Sequence, residues 1–425
     1  MGAESPFRFP PPEFESGHQL PLTAVPGGRA WIWEYIDVAV LLAALGIATW
    51  LIYKKRSRKG ILALSIFSVL YFGFWRKGCV CSIGSLQNVA LGVCDSSYGL
   101  PIGVLAFFVL PLIFALFAGR SFCAAVCPHG ALQDLVLLRP IRLAPWLEQG
   151  LSVVPYFYMG AGVLFAATGS GFIICQYDPF ITVFRMNGPV LMVTAGIVLL
   201  LLGTFVGRPY CRFLCPYGAL LKLGSVFSRW RVRVTPTFCT QCRLCEASCP
   251  FGALNHPSSA NPTDIRPERR RLVWTLVLVP VAVIVGGCLG FLASPAASRM
   301  HPTVQLAELF LKKGNAPVAY GPLTPEAFAL ERARRDPKQV LMEAALVQKR
   351  FQTATPLFGG WIGLVVALKL VGLALHRQST DYEPDRGNCF SCARCFEYCP
   401  NETGARAFLE TSVKPSAPLQ PSAPS

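Results

Sequence analysis

The stretch GRPYCRFLCPYGAL (residues 207–220) directly follows an apolar run that is long enough to cross a bilayer. Its last six residues, CPYGAL, recur as CPHGAL at 127–132 and as CPFGAL at 249–254. The third copy closes a run of cysteines with the spacing of an iron–sulfur ligand motif. One short unit therefore occurs both at the edges of membrane segments and inside a ferredoxin-like motif.

The composition is that of a membrane protein. Of the 425 residues, 53% are hydrophobic and only 15% are charged, which is less charge than a soluble domain carries. Apolar runs near the length of a bilayer span occur seven times, at 31–53, 61–75, 101–118, 152–174, 188–206, 272–292 and 357–376. We therefore predict an all-α polytopic membrane protein with about seven transmembrane helices, rather than a packed soluble core.

The basic residues indicate an orientation. The formal net charge is +16, and the run KKRSRK at 54–59 falls on the same side as the basic segment 207–271 if the spans alternate. Because short basic loops stay inside, this side is predicted to be cytoplasmic. The chain should then be a multi-pass protein of the cytoplasmic (inner) membrane, with its N-terminus external and its C-terminus in the cytoplasm. Charge clustered beside spans also argues against a nucleic-acid partner.

The same reasoning divides the chain into segments. We expect an external arm, five membrane helices with repeated cysteine units, a cytoplasmic ferredoxin-like segment, membrane helix 6, an external helical loop, membrane helix 7, a second ferredoxin-like segment and a disordered tail. Their predicted bounds are, in the same order, 1–30, 31–226, 227–271, 272–292, 293–356, 357–376, 377–410 and 411–425.

The membrane part contains an internal repeat. GRSFCAAVCPHGALQDLVLL at 119–138 aligns with GRPYCRFLCPYGALLKLGSV at 207–226. A degenerate relative, CVCSIGSLQNVAL, begins at Cys79 on the opposite predicted side, and its C..G.LQN matches CPHGALQD. Repeats in membrane proteins commonly build a shared site at their interface.

Two cysteine runs have the spacing C-x2-C-x2-C-x3-C-P of bacterial ferredoxins. Their cysteines are Cys239, Cys242, Cys245 and Cys249 in the first run and Cys389, Cys392, Cys395 and Cys399 in the second. We expect two [4Fe–4S] clusters in one small α+β ferredoxin-like cytoplasmic domain, in which Cys249 and Cys399 each serve the other run's cluster. Two separate domains with local ligation and a zinc site are the alternatives.

Eight further cysteines lie at the predicted ends of membrane spans. An inner set consists of Cys123, Cys127, Cys211 and Cys215, and an outer set consists of Cys79, Cys81, Cys94 and Cys175. Two C-x3-C-P units could together supply four soft thiolates for an iron–sulfur cluster, so we predict one or two further clusters at these metal sites. A redox-active dithiol, a copper(I) site and structural thiols remain alternatives, as do disulfides for the outer set.

Other residues carry only default interpretations. His129 falls at a variable position of the CPxGAL unit, Asp178 is expected to form a turn, and Asp134 is expected to bond a backbone group or face water. Cys288 lies inside an apolar span and is predicted to be a packing residue.

FCAAVCPHG, YCRFLCPYG and the two ferredoxin runs together resemble the polytopic iron–sulfur membrane proteins of the NosR and NapH group. The resemblance implies electron transfer between the quinone pool or the cytoplasm and a redox partner outside. NosR proteins carry a large external flavin-binding domain before the first span, which the 30 residues before the first span here do not match. Any flavin is therefore expected on a partner protein.

We thus expect an electron-transfer component rather than an enzyme with its own substrate chemistry, since no acid–base or nucleophilic constellation is evident. Its predicted partners are the membrane, an external redox protein or flavoprotein, and a quinone. Two other classes stay open: a factor that uses membrane dithiols to assemble or reduce a metal centre, and a redox-linked regulator.

Overall fold

The computed structural model describes residues 32–78, 81–230, 232, 234, 242–255, 265–313, 337–374 and 382–400. The described chain is helical apart from two short strands, β1 (Leu254–Asn255) and β2 (Glu383–Pro384). The helices of the membrane part are α1 Ile32–Trp50, α2 Arg58–Ser68, α3 Ser82–Cys94, α4 Ile102–Ala118, α5 Pro128–Leu135, α6 Pro145–Leu151, α7 Val154–Ala167, α8 Ile173–Gln176, α9 Pro179–Arg185, α10 Val190–Gly203, α11 Pro209–Phe213 and α12 Pro216–Val226. They are followed by α13 Leu244–Ala247, α14 Ile265–Ser298, α15 Pro302–Lys313, α16 Pro337–Ala374 and α17 Arg394–Glu397. Three π-helical stretches, Leu51–Lys55, Val69–Trp75 and Phe122–Val126, extend α1, extend α2 and precede α5, respectively.

Membrane-spanning helices occur where the hydropathy predicts them. Among the described residues, five helical stretches are long and apolar enough to cross a bilayer: Ile32–Lys55, Arg58–Trp75, Pro145–Ala167, Leu276–Ser298 and Lys338–Leu373. A sixth span would combine α9 and α10, which meet at a bend of 99°, and α4 is a shorter apolar helix. The polytopic helical class is confirmed, while the count of seven stays a prediction.

Two segment boundaries differ from the sequence prediction. The predicted cytoplasmic segment 227–271 overlaps α14, which already begins at Ile265. The predicted external loop 293–356 overlaps α16, which begins at Pro337 and runs without interruption into the last span. Hydropathy locates only the apolar part of a helix, whereas the backbone hydrogen bonds continue through the polar residues beside it.

Three short helices of the membrane part, α5, α9 and α12, begin in its interior. Each starts with a proline that directly follows Cys127, Asp178 or Cys215. Proline has no amide hydrogen, so it fits the first turn of a helix and ends whatever helix precedes it. The three residues before these prolines are buried, and α12 also contacts α3, which starts after Cys81. The repeated unit is therefore a helix start placed in the protein interior.

The helices α14 and α16 pack against each other through glycines. Gly286 and Gly290 on α14 face Gly359 and Gly363 on α16, and a Cβ atom built on any of these glycines would collide with backbone of the opposite helix. Small residues four apart let two membrane helices approach closely. The resulting van der Waals contacts stabilise the pair in lipid, where no hydrophobic effect drives helices together. This glycine contact fixes the hairpin that carries the second ferredoxin segment.

Replacing Gly359 by Ala should therefore destabilise the protein, because its new methyl group would overlap the Gly286 carbonyl. Overpacking of this kind costs about 1–3 kcal/mol. Thermal unfolding in detergent would measure the effect. Gly372→Ala is the matched control, since a Cβ at Gly372 on the same helix meets nothing within 4 Å. Equal unfolding temperatures for the two variants would contradict the packing described here.

Candidate functional site

The two ferredoxin segments meet in space although two long helices separate them in sequence. β1, which follows the first cysteine run, pairs antiparallel with β2, which precedes the second, with Leu254 opposite Pro384. The helix α13 contacts α17, and the rings of Phe251 and Phe390 lie 4.7 Å apart between centroids. The structure therefore brings both runs into one unit, as the bipartite arrangement requires.

Cys249 lies with the cysteines of the other run. It lines one cavity together with Cys389, Cys392 and Cys395, and the rings of Phe251 and Phe390 form part of the same wall. Burial raises the pKa of the Cys389 thiol to about 12 and raises the pKa of Cys395 well above its usual value. Such thiols stay protonated unless a metal replaces the proton.

The other expected group of cysteines, those of the first run together with Cys399, is described in part. The Cys245 thiol interacts electrostatically with those of Cys242 and Cys399, and burial raises its pKa. Cys239, the remaining predicted member, lies outside the described residues. Each run thus approaches the last cysteine of the other, which is the crossed pattern predicted from the sequence.

The backbone around these thiols fits a cluster. In both runs the residue after the second cysteine, Arg243 or Ala393, has a positive φ of about 60°. The strained turn wraps the chain around the space that the cysteines face, and the Ser391 amide lies 3.4 Å from Cys389 Sγ, which it donates to. Within the described part of the chain, no three Cys, His, Asp or Glu side chains lie close enough to share a single ion.

Replacing Cys249 by Ser should alter the cluster that Cys389, Cys392 and Cys395 would hold, because Cys249 lies in their cavity. Electron paramagnetic resonance of the reduced protein would detect the change. Cys399→Ser is the reciprocal variant and should alter the other signal. If Cys249→Ser changes only the signal lost in a Cys242→Ser variant, ligation is local and the crossed arrangement is excluded.

The inner membrane cysteines converge. Cys123, Cys127, Cys211 and Cys215 are all buried, and Cys215 interacts electrostatically with each of the other three. The Gly218 amide donates to Cys215 Sγ at 3.2 Å, and the Gln133 side chain donates to Cys211 Sγ at 3.3 Å. Both repeats thus contribute a pair of thiols to one buried group, as the repeat predicts.

The two repeats hold each other by a reciprocal contact. The arginine before the first cysteine of each repeat, Arg120 or Arg208, lies against the glycine of the other repeat's CPxG unit. A Cβ on Gly130 would stand 3.5 Å from an Arg208 nitrogen, and one on Gly218 would stand 3.4 Å from an Arg120 nitrogen. Sequence reasoning missed both arginines, although GR precedes the first cysteine in each aligned copy.

The outer set does not gather as predicted. Cys94 is exposed and ends α3, twelve residues after the start of that helix, which is about 18 Å along its axis. Cys81, at the other end of α3, lines a cavity with Cys127 and His129 of the inner group. Cys79 lies outside the described residues. The predicted grouping of Cys81 with Cys94 is therefore corrected, because broken helices bring Cys81 to the inner group and leave Cys94 apart. The membrane edge that each set faces stays a prediction.

A buried carboxylate joins the membrane part to the second ferredoxin run. Asp134 pairs with Arg58 at 2.5 Å, with Arg394 at 3.2 Å and with Arg208 at 3.4 Å. Burial alone would raise the pKa of Asp134, but the three guanidinium groups outweigh it and lower that pKa to about 2. Arg394 lies between two cysteines of the second run, and Arg58 also donates to the Cys392 carbonyl at 3.2 Å. The sequence offered only a backbone bond or solvent for Asp134.

Asp134→Asn should therefore loosen the docking of the second run. It leaves Arg208 buried with a weakened partner, and breaking a buried pair typically costs about 3–5 kcal/mol when one partner is removed. The measurements are thermal unfolding in detergent and the accessibility of the Cys392 loop to limited proteolysis. Asp95→Asn is the control, because Asp95 is a partly exposed loop residue whose carboxylate accepts hydrogen bonds from Ser97. Unfolding temperatures that fall equally in both variants would show that Asp134 has no special role.

Known families match the cysteine-bearing segments. A 4Fe-4S binding domain model matches residues 100–144 and 187–235, and a second 4Fe-4S binding domain model matches residues 232–255. No solved structure shows significant similarity to the chain. The first model spans the two membrane C-x3-C-P units, and the second spans the first ferredoxin run.

The chain is similar to several curated proteins. It is 32% identical over 271 residues to Protein NirI of Paracoccus denitrificans, covering 55% of this chain and 38% of NirI. It is 26% identical to the Putative electron transport protein YccM of Escherichia coli, covering 47% of this chain and 65% of YccM. It is 25% identical to the Regulatory protein NosR of Stutzerimonas stutzeri, covering 53% of this chain and 35% of NosR. The chain thus spans less than two thirds of each of these three proteins.

These findings confirm the resemblance to the NosR and NapH group and the expectation of iron–sulfur clusters. The chain is a membrane iron–sulfur protein, and it is similar to a relative named as a putative electron transport protein.

Proposed function

We propose that this protein carries electrons across the membrane, between a cytoplasmic or quinone donor and a redox partner outside, which could be a flavoprotein. The clusters, when bound, supply one-electron redox chemistry at low cost in structural change. The chain supplies the fixed positions, the exclusion of water and the hydrogen bonds to sulfur that tune a potential. The ligands would be the crossed ferredoxin cysteines and the four inner membrane cysteines.

One observation carries this proposal: a single side chain joins the two groups of cysteines. The Arg120 guanidinium lies 3.9 Å from the centroid of the Phe390 ring, which follows Cys389 directly in the second run. The same guanidinium lies 3.9 Å from Cys123 Sγ in the membrane. The ferredoxin unit is therefore docked against the membrane thiols, which a freely tethered domain would not be.

A cavity beside Cys389 supports an entry point for the donor. It has a volume of about 540 Å³, and its walls include Arg120, Arg229 and Arg386 along with Tyr53 and Trp230. The described wall thus contains three arginines and a single acidic side chain, Glu383. This excess of positive charge favours a negatively charged donor, through Coulomb attraction and hydrogen bonds from the guanidinium groups. This cavity would lie on the side that the basic segments favour as cytoplasmic.

The test is a variant in which Cys127 and Cys215 are both replaced by Ala. It should lose about two to four iron atoms per protein relative to wild type, as expected for one cluster. In proteoliposomes, it should also fail to reduce a trapped acceptor when a reductant is added on the ferredoxin side. Iron analysis and stopped-flow spectroscopy would measure the two effects.

Cys288→Ala is the control, because Cys288 is an exposed residue of α14 away from the cysteine groups. If the double variant keeps both its iron and its transmembrane transfer, the membrane cysteines are not part of the electron path. Stoichiometric copper in place of iron at these cysteines would favour the metal-centre assembly class instead.

A further inference from the structure

Two glutamines in the repeated unit make the same contact in two places. Gln87 aligns with Gln133 when C..G.LQ is matched between the copies. The Gln133 carbonyl oxygen accepts the Tyr210 amide at 3.0 Å, one residue before Cys211. The Gln87 carbonyl oxygen accepts the Ile174 amide at 3.0 Å, one residue before Cys175. Cys175 is therefore placed against the degenerate copy as Cys211 is placed against the CPHGAL copy.

The glycines of the two copies confirm this correspondence. A Cβ on Gly130 would stand 3.6 Å from Cys211 Sγ, and a Cβ on Gly84 would stand 2.8 Å from Cys175 Sγ. Each glycine follows the cysteine that precedes its helix by three residues, so Cys81 relates to Cys175 as Cys127 relates to Cys211. Cys81 also interacts electrostatically with Cys175. The arrangement of Cys127 and Cys211, two of the four inner cysteines, is thus repeated by Cys81 and Cys175.

At the contact of Gln87 with the chain before Cys175, Asp178 occupies the position that Cys215 has in the inner group. Both residues are buried, both immediately precede the proline that begins a helix, and both accept a backbone amide of that helix. Asp178 Oδ1 accepts the Phe180 amide at 2.9 Å. Asp178 interacts electrostatically with Cys81 and with Cys175. A carboxylate therefore takes the position of the fourth thiol.

The surroundings of Asp178 call for a cation. Its Oδ2 lies 3.2 Å from His129 Nε2 and accepts the Tyr210 hydroxyl at 3.2 Å. His129 is buried, and its Nδ1 has no hydrogen-bond partner in the described structure although the ring lines the cavity shared by Cys81 and Cys127. Among the described residues, His129 is the side chain that pairs with Asp178 within salt-bridge distance, and it compensates the negative charge only when it is protonated. A buried carboxylate next to two thiols is costly unless a positive centre compensates it.

We propose that Cys81, Cys175 and Asp178 form a second iron–sulfur site in the membrane part, with an aspartate in place of one thiolate and without Cys94. A carboxylate has about four lone-pair sites, so Asp178 keeps one on Oδ1 for a metal beside its contacts with the Phe180 amide, the Tyr210 hydroxyl and His129. The site adjoins the inner group through the cavity between Cys81 and Cys127, and exposed Cys175 gives it one open side. Its role in an electron path rests on the proposed function, but its ligands do not.

The decisive experiment exchanges Asp178 in two ways. Asp178→Asn keeps an acceptor for the Phe180 amide and places an amide NH2 group beside the Tyr210 hydroxyl, but it removes the anionic ligand, so it should lose about two to four irons with matching acid-labile sulfide. Asp178→Cys loses those hydrogen bonds but restores the thiolate of the other copy. It should keep its iron and show a shifted paramagnetic resonance signal after reconstitution with ferrous iron and sulfide.

A purely structural role for Asp178 predicts the reverse, with iron kept in Asp178→Asn and lost in Asp178→Cys, and that result would overturn the proposal. Cys175→Ser should lose the same iron as Asp178→Asn, and it replaces that variant if the latter fails to accumulate. Cys94→Ser is the control and should keep all of its iron. Loss of iron in Cys94→Ser would restore Cys94 as the ligand and exclude Asp178.

These results are separable from a failure of the proposed function. The Cys127 and Cys215 double variant reports on the inner group, whereas Cys175→Ser and Asp178→Asn report on the second site. Iron loss in the double variant alone would support the proposed function and refute the second site. Iron loss in Cys175→Ser alone would do the opposite.

Discussion

The arrangement of the membrane cysteines depends on one buried guanidinium. Arg208 is fully buried, donates to the backbone carbonyls of Cys123 and Ala124, and pairs with Asp134. Removing the partner of a buried arginine strongly destabilises a protein, whereas a well-paired buried arginine changes its stability little. These bonds cross from the second repeat to the first, so they fix how the two C-x3-C-P units face each other. The Gln133 side chain adds two further bonds between the repeats, to the Tyr210 amide and to Cys211 Sγ.

The charge balance around this arginine favours occupied metal sites. Arg58, Arg208 and Arg394 all pair with the single carboxylate of Asp134, and Arg120 lies nearby against Cys123. Arg208 interacts electrostatically with Cys211, Cys392 and Cys123 as well as with Asp134. One carboxylate leaves an excess of positive charge among these groups. Deprotonated, metal-bound thiolates would balance it, whereas neutral thiols would not.

Much of the site could be predicted from the sequence, because the cysteines that bind a cluster recur at fixed intervals that can be read directly from the sequence. The ferredoxin spacing predicted that Cys249 would lie with the second run, and the repeat of 119–138 at 207–226 predicted that Cys127 and Cys215 would meet. Neither pattern says how strongly each thiol is desolvated. The raised pKa values of Cys389 and Cys395 arise from burial that only the folded chain provides.

The outer set could not be predicted correctly, because apolar runs were interpreted as continuous spans. Prolines after Cys127, Asp178 and Cys215 start new helices in the interior, which brings Cys81 to Cys127 and moves Cys94 away. The sequence does contain two indications of the second site: the proline that follows Asp178, and the glutamine shared by the copies at Cys81 and Cys127, which is Gln87 or Gln133. A carboxylate in place of a cysteine is invisible to a count of cysteines.

Broken helices also explain how a membrane interior can hold several thiolates. A continuous membrane helix satisfies its amides internally and has no amide hydrogens free for sulfur. A helix that begins at a cysteine leaves its first amides free, and the Gly218 amide uses this freedom to donate to Cys215 Sγ. The partial positive charge at the start of the eleven-residue α12 stabilises negative sulfur in the same place. Since one bilayer is about 30 Å thick, such sites would divide the electron path of the proposed function into shorter steps than sites at the two faces alone.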